Sequence, residues 1–348
     1  MMHRYLFSLL LGTAAIAHAY PRSDLPSVKF EHKDWELVCD NTRTCRAAGY
    51  RKETEDPGAS ILLTRLAGPN QPVRVELQLA DDPDHPPPAS VRMTIGGRAA
   101  GVVRFEGGAS VATLSSAQVR ALLPALLQDD PIVWTAGKRS WTISTAGANA
   151  VLLKMDDFQG RVDTPGALVR TGAKAESSVL PPLPKPVVRA TAVPKSQPQQ
   201  IHLAPAQERQ LIAELRKTLS EGDCDLLESD GDEHAPFDIR PLSSDKLLVS
   251  HLCWRGAYNT GDGYWVTATK PPYSPVLVTT SATDYKDGTI GATQRGRGIG
   301  DCMAASSWVW DGRTFSQTLE QTSGMCRQIA AGGAWDLPTL VADVRRRN

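Results

Sequence analysis

Six cysteines constrain this chain before any other feature does: Cys39, Cys45, Cys224, Cys253, Cys302 and Cys326. Such thiols bind metal or stay reduced in a cytosol and oxidise outside it, so the compartment decides what they do. The N-terminus speaks to that. Arg4 supplies a positive start, Tyr5 to Ala17 is almost wholly apolar, and Ala17-His18-Ala19 offers the small residues that a signal peptidase requires. A cleaved signal peptide over residues 1–19, cut before Tyr20, is expected. The apolar run is shorter than the roughly 20 residues of a spanning helix. No later stretch is long and apolar enough to cross a bilayer. The expected location is the periplasm or the extracellular medium.

An even cysteine count in that setting reads as a disulfide framework. Locality selects among the pairings. Cys39 and Cys45 bracket Asp40 to Thr44, a polar loop able to close a hairpin, while the other four lie far away in the second half. The expected pairs are Cys39–Cys45, Cys224–Cys253 and Cys302–Cys326, and the last two could exchange partners.

Residues 173–205 hold seven prolines and few large apolar side chains. Such a composition buries too little surface to offset ordering and favours extended spacing. It predicts a linker over 173–204 between an N-terminal domain (20–172, after the signal peptide 1–19) and a C-terminal domain (205–348). The first domain reads mainly as short strands: Trp35–Cys39, Cys45–Tyr50, Ser60–Leu66, Val73–Leu79, Val91–Ile95, Ile132–Thr135, Trp141–Ser144 and Val151–Met155, as in an antiparallel sandwich or barrel. One helix is expected from the capping-box spacing of Ser115 and Gln118. Its apolar face is Val119, Leu122, Leu123, Leu126 and Leu127, and Pro124 should kink or shorten it. The second domain opens with a helix at Pro205, striped by Leu211, Ile212, Leu215 and Leu219. Strands follow at Lys246–Leu252, Tyr264–Thr269, Val276–Thr280, Ala304–Trp310 and Thr314–Gln321, and Asp311-Gly312 signals a two-residue hairpin turn. The predicted fold class is mainly β with some α, its second half an antiparallel sheet with one packed helix.

Charge is balanced, 38 Lys+Arg against 38 Asp+Glu, so no long-range field recommends nucleic acid as a partner. For metal, no C-x-x-C pair exists. His251 and Cys253 would share a strand face, but an exported cysteine with partners oxidises, so no metal or cofactor is expected. Eight acidic residues and no Lys or Arg fall between Glu221 and Asp238, with Asp230-Gly231-Asp232-Glu233 at the centre. These are oxygen ligands of the kind calcium takes, without EF-hand spacing, and a solvated loop is the simpler reading. Neither G-x-S-x-G nor S-x-x-K occurs. His32 and His234 neighbour carboxylates but lack a paired nucleophile. No catalytic residue is assigned.

The segment Asp284 to Cys302 interleaves Arg295, Arg297 and Asp301 with five glycines. Glycine permits close backbone approach, and two arginines can address a carboxylate or phosphate. The simpler alternative is a hairpin whose arginines pair with nearby aspartates. Aromatics gather around it (Trp254, Tyr258, Tyr264, Trp265, Trp308 and Trp310 among them), as a ligand platform if exposed and as a core if buried.

Cys253-Trp254-Arg255-Gly256-Ala257-Tyr258-Asn259, Gly296-Arg297-Gly298-Ile299-Gly300-Asp301-Cys302, Trp308-Val309-Trp310-Asp311-Gly312 and Cys326-Arg327 resemble an exported six-cysteine bacterial family, numbered eleven-seventy-six among domains of unknown function. Asp34-Trp35 through Cys45 also fits its start. That N-terminal stretch, with Ala146-Gly147 to Met155, is further similar to the invasion-associated locus B proteins. The first resemblance implies export and disulfides and brings no activity with it. The second hints at an envelope or host-interaction role.

The expected function is a non-enzymatic cell-envelope module that binds a protein, peptide or glycan. Its expected ligand residues are Arg295, Arg297 and Asp301, with Tyr258 and Asn259 beside them. The rivals are an exported hydrolase of cell-wall material or small esters, and a calcium-stabilised structural protein. Mass mapping of an unreduced digest should find all six cysteines in disulfides; an unpaired thiol in the exported protein would reopen metal and thiol chemistry.

Overall fold

Trp35, Leu37 and Cys39 alternate along one strand with Glu36 and Val38, and both sets are buried. A strand hidden on its two faces needs a layer on each side. The architecture follows from where those layers come from. The computed structural model describes residues 26–53, 58–80, 86–194, 203–228 and 237–346. The predicted signal peptide, Asp230 to His234, His85 and His202 lie outside them.

The first half contains β1 (Val28–His32), β2 (Trp35–Cys39), β3 (Cys45–Tyr50), β4 (Ala59–Arg65), β5 (Val73–Leu79), β6 (Ser90–Ile95), β7 (Arg98–Arg104) and β8 (Val111–Thr113). After them come α1 (Ser116–Gln128), β9 (Ile132–Ala136), β10 (Arg139–Thr142) and α2 (Ala148–Phe158). Two antiparallel sheets form, β1-β2-β3-β4-β5-β8 and β10-β9-β6-β7. They share one core with both helices, including Leu37, Leu63, Leu77, Met93, Leu122, Trp134 and Leu152. The sheets are open, so the barrel alternative is corrected: β1 and β8 are separate edges rather than neighbours. Trp35 lies over its cross-strand partner Gly49, where a Cβ would sit 2.4 Å from the indole ring, so only glycine fits. The indole N–H donates to the Ser144 carbonyl at 2.7 Å.

Val151–Met155, expected as a strand, is helical. Ala148, Val151, Leu152 and Met155 are all buried, the i, i+3, i+4, i+7 spacing of a helix face. Pro124 neither breaks nor shortens α1, which runs to Gln128 and keeps its Ser115–Gln118 capping box. The proline is on the exposed side, where water can serve the carbonyl it leaves without an N–H partner.

The second half contains α3 (Pro205–Arg216), α4 (Asp225–Glu228), β12 (Asp238–Pro241), β13 (Lys246–Arg255), β14 (Thr260–Ala268), β15 (Val276–Ala282), β16 (Asp284–Lys286) and β17 (Thr289–Arg295). It continues with β18 (Met303–Trp310), β19 (Phe315–Thr322), β20 (Leu337–Val341) and β21 (Asp343–Arg346); one strand from the Pro-rich segment, β11 (Val187–Ala190), precedes them all. The expected single sheet is two, β12-β13-β14-β15 and β16-β17-β18-β19-β20. Tyr264, Val266, Ile290, Trp308, Trp310 and Phe315 fill the space between them. Leu211 and Leu215 of α3 pack on the other face of the first sheet, against Val249 and Trp265. Trp308 and Trp310 thus share an inward face as their alternation predicts. The Asp311-Gly312 turn is wider than expected: Trp310 pairs with Phe315, and the Asp311 carboxylate takes the amides of Arg313 and Thr314.

Disulfides join Cys39 to Cys45, Cys224 to Cys253 and Cys302 to Cys326. Three such bonds are consistent with a location outside the cytoplasm.

The halves share an apolar seam. Val38, Ala48, Tyr50 and Leu62 on the outer face of the first sheet meet Ile329, Trp335 and Leu337 from the C-terminal segment. The Trp335 indole donates to the Ser60 hydroxyl at 2.7 Å, and Arg327 pairs with Asp34 at 3.0 Å. The prolines of the linker composition form a strap over both halves. Leu180 accepts from the Gly68 amide, Leu183 donates to Thr42, Thr191 donates to Trp310, and β11 pairs in parallel with β21.

A buried ionic knot anchors the start of that strap. Arg161, fully buried, donates to the Gln159 side chain (2.8 Å) and to the carbonyls of Leu66 (3.0 Å) and Gly68 (2.7 Å), and it meets Glu176 at 3.4 Å. Arg65 faces Asp156 at 3.4 Å beside it. Burial, and then the neighbouring Arg161, hold Arg65 down to about 10, while burial lifts Asp156 above its ordinary value. The low dielectric therefore works against both charges, and the surrounding hydrogen bonds hold the pair in place. Arg161→Met should cost about 3–5 kcal/mol in urea unfolding, the range for breaking a buried ionic contact. Arg170→Met, which breaks an exposed pair with Asp163, should stay within about 1 kcal/mol. Equal losses would show that the knot is not special.

Candidate functional site

The glycine-rich segment turns from β17 into β18 through a loop over 296–302. Inside it the Arg297 guanidinium forks onto Asp301, Nε to Oδ1 at 2.7 Å and Nη2 to Oδ2 at 2.5 Å. Oδ2 also accepts the Gln328 amide at 2.7 Å. The Arg297 hydrogen bond, ahead of any other influence, holds the Asp301 carboxyl below its ordinary range. The adjacent Cys302 is bonded to Cys326, so the loop is closed once by sulfur and once by charge. Asn259, in the turn between β13 and β14, accepts the Arg295 amide (3.0 Å) and donates to the Arg295 carbonyl (2.9 Å). The Tyr258 hydroxyl reaches the Gly296 carbonyl at 3.4 Å.

All five sequence-selected residues therefore meet at one corner. Arg297, Asp301 and Asn259 spend their polar groups on the protein itself. Arg295, Tyr258 and Ile299 are turned to solvent, the last two 46% and 66% exposed. Asp301, Cys302 and Cys326 lie close enough to suggest a metal cluster, but both sulfurs are in the disulfide and cannot act as thiolates. Cys253 is likewise oxidised, and His251 is buried with its ring 4.8 Å from Phe237. That removes the zinc pair. At the described edges of the acidic segment, Glu228 accepts the Gly222 and Cys224 amides and Asp223 accepts that of Ser220.

Arg295 also lines a groove of about 550 Å³ that runs from the outer face of β1, with Lys29, Glu31 and Lys33, to the Cys302–Cys326 bond. Glu36 lies at its base, only 2% exposed. Its Oε1 accepts the Tyr50 hydroxyl at 2.6 Å and the Met325 amide at 2.7 Å, which ties the first sheet to the C-terminal segment. Burial raises the Glu36 carboxyl above its ordinary value and pushes the Tyr50 phenol well up.

A larger cleft, about 960 Å³, opens under the strap. Pro184, Pro186 and Val188 form one wall; Leu277, Trp308, Phe315 and Leu340 lie across from them. Arg43 and Lys185 are its charged residues, and no Asp or Glu lines it among the described residues. Reading the prolines as a spacer hides this cleft, because a spacer has no inward face. The signal available was Val187-Val188, an apolar pair inside the proline run.

The family model described as a protein of unknown function (DUF1176) matches residues 29–342. An uncharacterized protein, YpfG of Escherichia coli (strain K12), is 26% identical over 331 residues, covering 88% of this chain and 90% of its own. No solved structure matches.

Two buried acids of the corner and groove should show opposite pH behaviour. Glu36 is raised, so the folded state holds its proton longer than the unfolded chain, and stability falls as pH rises through the folded value. Glu36→Gln keeps an acceptor for Tyr50 and Met325, and should flatten that fall and raise Tm above it. Asp301 is lowered, so its contribution is present above the unfolded value and is lost as pH falls through the folded one. Asp301→Asn should cost about 1.5–3 kcal/mol near neutrality and little in acid. Thermal melts of both variants across pH check this, and parallel profiles would contradict it.

Proposed function

The chain belongs to the DUF1176 family of proteins of unknown function, and we propose that it is a non-enzymatic binding module of the cell envelope. In this reading residues 1–19 direct export, the mature protein works in the periplasm or outside the cell, and its two halves, 20–172 and 205–348, act together. The ligand occupies the cleft beneath the strap. One observation carries this: a cleft of ligand size, roughly 300–1,000 Å³ by the usual range, is walled by apolar side chains that remain only half-buried. Leu183, Val188, Leu277, Leu340 and Val341 all keep wet surface there, and covering such surface is favourable by about 25 cal/mol per Å². Neither a histidine nor a carboxylate lines the cleft among the described residues, which favours holding a molecule over hydrolysing one.

The corner around Arg295 supports a second reading, binding of an extended peptide or glycan. Arg295 and Tyr258 face solvent beside a groove in which Lys29, Glu31 and Lys33 alternate in charge. In that reading Arg297, Asp301 and Asn259 position the surface without touching the ligand.

The neutral fluorescent dye phenylnaphthylamine tests the first reading. Saturable binding to the full chain should weaken at least about tenfold in Leu340→Trp, which narrows the cleft, with Tm retained. Unchanged binding in that variant, or no saturable binding to the parent protein, would remove the cleft from the function.

A further inference from the structure

We infer that the cleft takes an anionic amphiphile: an apolar chain bearing a single carboxylate or phosphate head. This rests on the cleft reading above and names its ligand class. The walls supply the first half of the recognition. Trp308 and Phe315 form a nearly buried apolar floor, 9% and 5% exposed, with the half-buried leucines and valines above it. Thr314, Ser316 and Gln317 add polar groups to the lining, while the apolar remainder accepts hydrocarbon and penalises a polar group set against it.

The head group is chosen by charge. Arg43 and Lys185, the charged lining residues, are both cations. Arg43 sits in the hairpin loop closed by the Cys39–Cys45 bond, in a left-handed backbone conformation with φ 67°. One of its N–H groups donates to the Pro181 carbonyl at 2.8 Å, which fixes the guanidinium against the strap and leaves its other donors available. No carboxylate pairs with it among the described residues. Lys185 reaches Asp343 only at 3.9 Å, with both side chains 53% exposed, a contact too long and wet to neutralise it.

The neighbouring ribbon extends the same sign. Val187 and Val188 of β11 line the cleft, and the next residue, Arg189, is in register with Arg345 of β21, with Arg346 following. Placing like charges directly opposite on adjacent strands is unfavourable, and an anion beside the ribbon relieves it. Over 185–190 and 343–346 the cations are Lys185, Arg189, Arg345 and Arg346, against one anion, Asp343. The chain is neutral overall, so this is a local excess of cations on the ribbon that carries Val187 and Val188 rather than a property of the whole surface.

Competition against bound phenylnaphthylamine, below micelle concentrations, tests the inference. The probes share one chain length: laurate, lauroyl lysophosphatidylglycerol, lauryl alcohol and laurylamine. One or both anions should displace the dye at a concentration at least about tenfold below the alcohol, and the amine should be weakest. Which anion is tighter distinguishes a free fatty acid from a phospholipid source. In the double variant Arg43→Gln with Lys185→Gln, dye binding should stay saturable while the preference for the anions over the alcohol, read as a ratio within that variant, falls to within about twofold. Raised salt should reduce the preference in the parent protein, because the head group sits at a solvent-open mouth. Equal displacement by laurate and lauryl alcohol, or a preference that survives the double variant, overturns the anionic head and leaves the cleft reading standing. Failure of all four probes to displace bound dye, with no calorimetric heat from laurate, overturns the amphiphile and leaves the cleft reading standing; absence of saturable dye binding overturns both.

Discussion

The outer face of the six-stranded sheet is the constraint from which the rest of the molecule follows. Val38, Ala48, Tyr50 and Leu62 make its centre apolar, and a sheet face of that kind must be covered. The chain covers it with its own distant C-terminal segment, bringing Ile329, Trp335 and Leu337 onto residues almost 300 positions earlier. Polar contacts aim the segment, among them Trp335 to Ser60, Met325 to Glu36, Arg327 to Asp34 and Val341 to Asn41. Hydrophobic area drives that contact, and the hydrogen bonds select one register for it.

Once the seam forms, the intervening chain has to travel over the surface of both halves. The proline run suits this path, since extended backbone without regular partners spans distance and orders at lower entropic cost than a flexible chain. The knot around Arg161 holds one end of the path, and the parallel pairing of β11 with β21 holds the other. The cleft is the space left between this strap and the open end of the C-terminal sandwich. Its apolar walls and cationic rim therefore come from segments distant in sequence, including the hairpin loop at Arg43.

Legibility in the sequence varied with the range of the interaction. The β2–β3 hairpin, the helix at Pro205 and the Ser115 capping box were readable, because each depends on neighbours a few residues apart. The Cys39–Cys45 bond was readable by locality, while exchange among Cys224, Cys253, Cys302 and Cys326 stayed open until the structure paired them. The helix at 148–158 was misread because Val151-Leu152-Leu153 is apolar in a row, and an apolar run suits a buried strand as well as a helix until the next turn is counted. The run Ile61-Leu62-Leu63 in β4 carried an unread signal: consecutive apolar residues in a strand imply cover on both faces. At the corner, glycine and charge marked the place, but the bidentate grip of Arg297 on Asp301 shows that much of that charge holds the loop together.

By itself, the sequence determined the strand-rich character of the chain, its Cys39–Cys45 cross-link, its membership of a family and its balanced charge. These are properties of composition and short spacing, which act within a few residues or over the chain as a whole. Only the tertiary structure decided that the halves share a seam, that the prolines form a wall, and which charges remain free to meet a ligand. Those outcomes depend on which surfaces find each other across hundreds of residues, and local propensity carries no information about that choice.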